Sequence, residues 1–413
     1  MAAVSPSRFL SRDDPVRPAA VVGGVGWASF DDRVILADLA AASSSSSSMA
    51  AVSTTSNGLE VRVSLRLAAP PAASYVELYT DACLHMVVAV RDDDPFDPPT
   101  DNFFVYKADP DWPWLRRLPS IGDWMGRPWH TGVARLGGAG NWKGFVVADL
   151  QPRTVYPHAG GMDEEAELFR YSSAAGRWEL KRLDMPHDPE KGLHPLCWET
   201  DAVFSLGGST MCWADYHRGV VLCDVAAADP VLRFVRFPGI EIWDDFIDGR
   251  GLPAMYRTAS VRGGRLWFVD VDNGRFRQQA RTTFSRRTGA VITSRRTVIT
   301  TWTLCTPELE WRKELTLQHG ELLSQRRYRR SPLPRSLPGF PMIDMLQHDV
   351  IHFVVRRSWE DPENWMITVD MRNKCLKSYQ LYQNAIEAPE SDEDVKNMFW
   401  DEPLICCELY KNT

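Results

Sequence analysis

Two kinds of apolar run alternate along most of the chain. In GLEVRVSLRL, Val61, Val63 and Leu65 alternate with Arg62, Ser64 and Arg66, the period-two pattern of a half-buried strand, which Pro70-Pro71 ends. Other runs are nearly unbroken: GFVVADL (144–150), TMCWAD (210–215), RLWFVDV (265–271) and HDVIHFVV (348–355). A run of that length with apolar residues on both sides of the pleat predicts a strand buried on both faces. Glycine pairs announce three of these inner strands, at Gly137-Gly138, Gly207-Gly208 and Gly263-Gly264.

Each inner strand belongs to a larger repeat of a short apolar strand, a polar turn, and a strand carrying Trp or Leu that often ends near Pro. The instances are Phe103–Pro119, Leu168–Pro186, Val220–Pro238, Thr301–Leu317 and Met366–Tyr382. The clearest unit spans 201–239. Four-stranded groups recurring every few tens of residues predict an all-β fold, a degenerate β-propeller of about six four-stranded blades. The uneven spacing keeps a β-sandwich-like packing of sheets as the alternative.

The pattern lapses in several places. Ser43–Ser48 lies in an Ala/Ser/Thr segment that lacks apolar surface to bury, so 42–56 reads as a disordered loop. Residues 1–18 read as a flexible N-terminus, 19–385 as a single β-domain, and 386–413 as an acidic segment with a short helix and a closing strand. The helix falls on Ser391–Trp400, where Ser391 suits an N-cap and the first turn is acidic. Little helix is expected elsewhere. The insertions at about 239–260, 272–300 and 321–341 read as loops at blade ends, where binding function concentrates.

Composition narrows the class. The 413 residues are 44% apolar with 16 Trp, enough for a large core and incompatible with global disorder. A net charge of −7 argues against a protein dedicated to nucleic acid. No apolar run approaches the ~20 residues needed to span a bilayer, so no membrane partner is expected. The eight cysteines form no Cys-x-x-Cys and sit mostly in apolar runs, as reduced, buried thiols do. With no signal peptide and no Asn-x-Ser/Thr sequon, cytoplasm or nucleus is the expected compartment.

Candidate chemistry is sparse. Arg275, Arg277, Arg281, Arg286, Arg287, Arg295 and Arg296 crowd one insertion with no acidic residue between Asn273 and Pro307. Arg326, Arg327, Arg329, Arg330 and Arg335 crowd the next. Guanidinium groups suit carboxylates and phosphates, so these are the candidate partner-binding residues, Arg329 and Arg330 among them. The alternative reading is solvated basic loops, balanced by acidic residues such as Asp392-Glu393-Asp394 and Asp401-Glu402. Ser331-Pro332 after Arg329-Arg330 resembles a proline-directed phosphorylation site. His187, His194 and Cys197 lack the fourth ligand of a structural zinc site. There is no nucleophile elbow, no phosphate loop and no histidine marked as a base. Trp213 and Asp215 read as a core aromatic and a turn-capping carboxylate. No catalytic residue, metal or cofactor is expected.

Several segments are similar to one family. LAAPPAASYVELY, FFVYKA…LRRLP, GFVVADLQ, LFRYSSAAGRWELKRL, LGGSTMCWADYHRGVVLCDV…FVRFPG, GGRLWFVDVD and VDMRNKCL together resemble the plant domain-of-unknown-function family DUF-1618, expanded in grasses. The resemblance runs from about residue 20 to about 385. Its most specific block is Trp213-x-Asp215…Gly219…Cys223-Asp224. It implies a β-rich intracellular plant protein related in fold to kelch-like propellers, and it supplies no catalytic residues. No F-box helix precedes the β-region, which departs from F-box-bearing relatives. The expectation is a non-enzymatic, monomeric interaction scaffold whose loops bind a protein partner, acidic or phosphorylated. The alternatives are a hydrolase using a propeller's central channel and a nucleic-acid-associated protein acting through the arginine loops.

Overall fold

Every repeat named above becomes a pair of neighbouring antiparallel strands. The computed structural model describes residues 18–22, 25–28, 49–54, 60–68, 72–73, 85–92, 100–107, 114–119, 131–137, 143–155, 163–186, 198–239, 253–272, 282–284, 291–293, 297–344, 347–357, 364–384 and 405–407. The chain divides into two compact units, with Met1–Arg236 in the first and Phe237–Gln383 in the second, and short C-terminal pieces in each.

In the first unit, Thr131–Leu136, Gly144–Val155, Asp163–Ser172 and Arg177–Asp184 form a four-stranded antiparallel sheet. A second such sheet follows in Ala202–Gly207, Thr210–Asp215, Gly219–Asp224 and Arg233–Arg236. His85–Asp92, Thr100–Lys107 and Trp114–Arg117 make a three-stranded sheet before them. A further sheet joins Pro18–Val22, Val25–Ala28, Met49–Thr54 and Glu60–Ala68, and Ile405–Cys407 pairs antiparallel with Val25–Ala28.

The inner strand of the 131–184 sheet shows why its sequence is a continuous apolar run. Phe145 and Val147 point to one face, where they join Phe103 and Val105 of the three-stranded sheet and Leu118 just after it. Val146, Ala148 and Leu150 point to the other, where they join Val203, Met211, Trp213 and Val221 of the next sheet. A period of two with both faces covered requires apolar residues at every position. Gly132 sits where the second pair of sheets approaches closely: a Cβ there would lie 2.3 Å from the Met211 terminal methyl and 2.5 Å from a Val203 methyl.

In the second unit, Arg257–Arg262, Arg265–Asp272, Val298–Cys305 and Glu310–Gln318 form one four-stranded sheet. Gly339–Ile343, Val350–Val355, Asn364–Asp370 and Cys375–Asn384 pair in succession as another. Gly263 and Gly264 turn the first hairpin with φ of 58° and 69°, a pair of left-handed residues that a two-residue hairpin of native twist needs. Val269, Val271, Ile299 and Leu317 share one core with Ile351, Phe353, Val355 and Ile367. Thus the fold is all-β with little helix, and several of its sheets are four-stranded and antiparallel.

Three expectations need correction. Residues 49–54, read as part of a disordered loop, form a strand paired from Met49↔Leu65 to Thr54↔Glu60. Small side chains do not prevent a strand when its ladder partner is strongly β-forming, and Ala51 is buried. The serine run itself lies outside the described residues. Within the 272–300 insertion, Thr282–Phe284 and Val291–Thr293 pair as an antiparallel hairpin. The 321–341 insertion is not a plain loop: His319–Ser324 (α1) and Arg326–Arg329 (α2) are helical. The helix expected over Ser391–Trp400 lies outside the described residues.

Candidate functional site

Three kinds of polar constellation stand out from this apolar framework: an arginine surface on α2, a recurring buried aspartate, and a buried histidine relay.

The arginine surface starts from a capped helix. Gln318 and Glu321 form a reciprocal capping box at the start of α1, the Gln318 N–H donating to Glu321 Oε2 at 3.0 Å. Glu321 also meets Lys374 Nζ at 3.2 Å, and these two donors hold its carboxyl below the usual carboxylate range. Between the helices, Gln325 donates to the Lys374 carbonyl and accepts from the Leu376 N–H at 3.1 Å. One amide thereby fastens the helix break to the adjacent strand turn.

Leu322, Tyr328 and Leu333 carry the segment into the core. Tyr328 is 2% exposed, donates its hydroxyl to the Pro334 carbonyl at 2.7 Å, and has its phenol pushed up to about 12 by burial. At about 100° per residue, Tyr328 projects opposite the centre of the arc swept by Arg326, Arg327, Arg329 and Arg330. Burying one aromatic therefore turns four guanidinium groups outward. All four, with Arg335, are exposed. No salt bridge joins any of the five to a carboxylate among the described residues. The other arginine candidates, Arg275, Arg277, Arg281, Arg286, Arg287, Arg295 and Arg296, lie outside the described residues, as do Asp392–Asp394. Ser331 follows α2, half-buried, its hydroxyl donating to the Tyr328 carbonyl at 2.6 Å.

The buried aspartates follow a rule. Asp149, Asp215 and Asp270 are each the sixth residue of the second strand of their sheets, and all are 8% exposed or less. Asp149 is paired with Thr131 and accepts its hydroxyl at 2.8 Å. Asp270 is paired with Arg257 and bound by its Nε at 2.9 Å. Asp215 accepts from the backbone N–H groups of Glu199 at 3.1 Å and His217 at 2.8 Å, and from Arg218 at 2.8 Å. Asp215 thus caps its turn as expected, beside a Trp213 that is fully buried. The signal was in the sequence: GFVVAD, TMCWAD and RLWFVD each place Asp sixth in a largely apolar run.

The histidine relay was not expected. His352 lies within the apolar strand Val350–Val355, 4% exposed, with Nε2 at 3.0 Å from Asp344 Oδ2 and Nδ1 at 3.0 Å from Thr368 Oγ1. One neutral tautomer satisfies both contacts: Nε2–H donates to the carboxylate, and Nδ1 accepts the threonine hydroxyl. Burial lowers the His352 pKa, against the opposing pull of Asp344. Asp344 is 1% exposed and also accepts the Gln347 N–H at 2.9 Å. Arg262 encloses this corner, donating to the carbonyls of Asp344 at 2.9 Å and of Gln347 and His348 at 3.3 Å. Its guanidinium stacks 3.9 Å from the Trp267 ring centre, and burial lowers its pKa. An acid, an imidazole and a hydroxyl in line resemble a hydrolytic relay in composition only. The imidazole is enclosed, and each of its nitrogens is engaged within the sheet.

The remaining candidates add little chemistry. Among the described residues no group of three His, Cys, Asp or Glu is placed to hold a metal, and His187, His194 and Cys197 lie outside them. Cys212 and Cys223 are buried free thiols, and burial raises both, Cys223 to about 12. Neither is poised as a nucleophile. No helix among the described residues is long and apolar enough to cross a membrane.

Comparison with known proteins agrees with the resemblance over part of its span. The family model described as "Protein of unknown function (DUF1618)" matches residues 213–352. The match opens on Trp213, the first residue of the block singled out as most specific, and ends on His352. No curated protein matches the chain. Among solved structures, the WD40 domain of SCAP from fission yeast aligns over 73% of this chain and 75% of that one, at 10% identity and a TM-score of 0.27. The fold described above rests on strand pairing and packing, not on that likeness.

Proposed function

We propose that the protein is a non-catalytic interaction module, and that the arginine surface of α2 and its following turn binds an acidic segment of a protein partner. The supporting observation is the arrangement of Arg326, Arg327, Arg329, Arg330 and Arg335. Five exposed guanidinium groups project from ten residues that are rigidly anchored by Leu322, Tyr328 and Leu333. A fixed array of planar donors suits carboxylates, because less side-chain freedom is lost for each hydrogen bond formed. The successive sheets act as blades of a kelch-like propeller, a reading supported by the face-to-face packing of neighbouring sheets within each unit and by pairing of the terminal strands 25–28 and 405–407. This reading keeps the protein monomeric and intracellular, the second in keeping with the free thiols among the described residues.

Binding of a fluorescent oligoglutamate peptide to the full chain tests the proposal. Binding is expected at low ionic strength and weakens as salt screens the pair. The double charge reversal Arg329→Glu, Arg330→Glu weakens it by about tenfold or more, since like charges replace opposite ones. Absence of binding at low salt overturns the reading. Single-stranded RNA that displaces the peptide at equal concentration moves the assignment to nucleic acid.

A further inference from the structure

The same surface contains its own means of neutralisation. We propose that Ser331 is a phosphorylation site whose modification switches off the arginine surface; the switching half rests on the function proposed above.

The local geometry provides a half-buried acceptor between exposed neighbours and a turn that tolerates its modification. Arg329, Arg330 and Pro332 are exposed on either side of a half-buried Ser331, so the residues that flank the acceptor face solvent. The Ser331 hydroxyl donates to the Tyr328 carbonyl at 2.6 Å and accepts from the Leu333 N–H at 3.4 Å. The same carbonyl accepts the Ser331 N–H at 3.1 Å. Esterifying the hydroxyl removes one donor, but the carbonyl keeps its backbone partner, and a phosphate oxygen takes over as acceptor for Leu333. Tyr328 holds the turn independently through its hydroxyl bond to Pro334. Modification therefore changes charge with the fold retained.

The reaction is phosphoryl transfer from a nucleoside triphosphate on a proline-directed protein kinase. Ser331 Oγ forms the new bond to the γ-phosphorus as the bond to the bridging oxygen breaks. The nucleoside diphosphate leaves, and the hydroxyl proton passes to the kinase base. The product carries about −1.5 to −2 charge with three acceptor oxygens. Arg330 is adjacent, and Arg327 stands four residues earlier, one helical turn away. A phosphate between them pairs with guanidinium groups that otherwise face the partner.

The test treats the full chain with a proline-directed kinase and Mg-ATP, maps the phosphate by mass spectrometry, and measures oligoglutamate binding before and after. Phosphate on Ser331 with about tenfold weaker binding is expected. Ser331→Ala blocks the modification and keeps the binding of the untreated chain, while Ser331→Glu weakens it. Circular dichroism and the unfolding midpoint confirm that each variant folds. A kinase that modifies a synthetic 324–336 peptide but leaves Ser331 of the folded chain untouched overturns the inference, as does phosphate on Ser331 with unchanged binding. Failure of the untreated chain to bind oligoglutamate overturns the proposed function and the switching with it, whereas the mapping still decides the modification site on its own.

Discussion

Asp215 and Asp344 are both buried carboxylates at strand ends, one in each unit, yet their partners differ in kind. Asp215 answers two backbone N–H groups and the guanidinium of Arg218, whose charge is fixed across the accessible pH range. Asp344 answers one backbone N–H and the imidazole of His352, whose charge is not fixed. The first corner is an ion pair with a turn wrapped around it. The second is a hydrogen-bonded relay that stays neutral on its basic side only while the imidazole is unprotonated. The same structural task is solved once with a guanidinium and once with an imidazole, the side chain whose charge changes near neutral pH.

Removing the carboxylate from the first corner should have the largest effect. Asp215→Ala leaves Arg218, 11% exposed, without its carboxylate and strips two backbone donors of their acceptor. A loss of about 3–5 kcal/mol is expected, typical of breaking one side of a buried pair, read from the denaturant midpoint. A loss under about 1 kcal/mol, the scale of an ordinary exposed pair, would place this corner outside the core framework. At the second corner, His352→Gln removes a neutral ring whose two hydrogen bonds an amide partly replaces. About 1–3 kcal/mol is expected there, so the ranking of the two variants tests the contrast directly.

The smallest effect is the most diagnostic. Burial depresses the His352 pKa below its ordinary value of 6.5. Between the folded and unfolded values the unfolded chain binds the extra proton, so stability is full above about pH 6.5 and falls as pH drops through that window. His319, also lowered by burial, contributes with the same sign. Unfolding followed across this range should show a shallower pH slope for His352→Gln than for the natural chain. Equal slopes would mean that the relay does not titrate as described.

Much of the framework was readable in the sequence because strands buried on both faces leave a distinctive mark. Phe145 and Val147 serve one neighbour while Val146, Ala148 and Leu150 serve the other, and only an unbroken apolar run does both. The relay was not readable for the complementary reason. His352 and Thr368 meet because the strands align them across one register, and Asp344 meets them through a turn. Neither fact is local, so the histidine looked incidental within VIHFVV. The α1–α2 segment failed differently. Its arginines dominated the reading, although Gln318-x-x-Glu321 is a helix start and Leu322, Tyr328 and Leu333 are core contacts. Met49–Thr54 failed because its own side chains are small, and its strand depends on the partner ladder.

The Arg262 clamp has a bearing on how the second unit reaches its native state. Its guanidinium closes on carbonyls 82 to 86 residues further along the chain. Bringing such distant segments together sacrifices chain freedom before any bond is gained, which places the closure late in assembly. Until it closes, the carbonyls of Asp344, Gln347 and His348 face water and Trp267 lacks its cationic cover. Refolding of this unit should therefore finish with the docking of one side chain, and Trp267 fluorescence offers a direct clock for that last event.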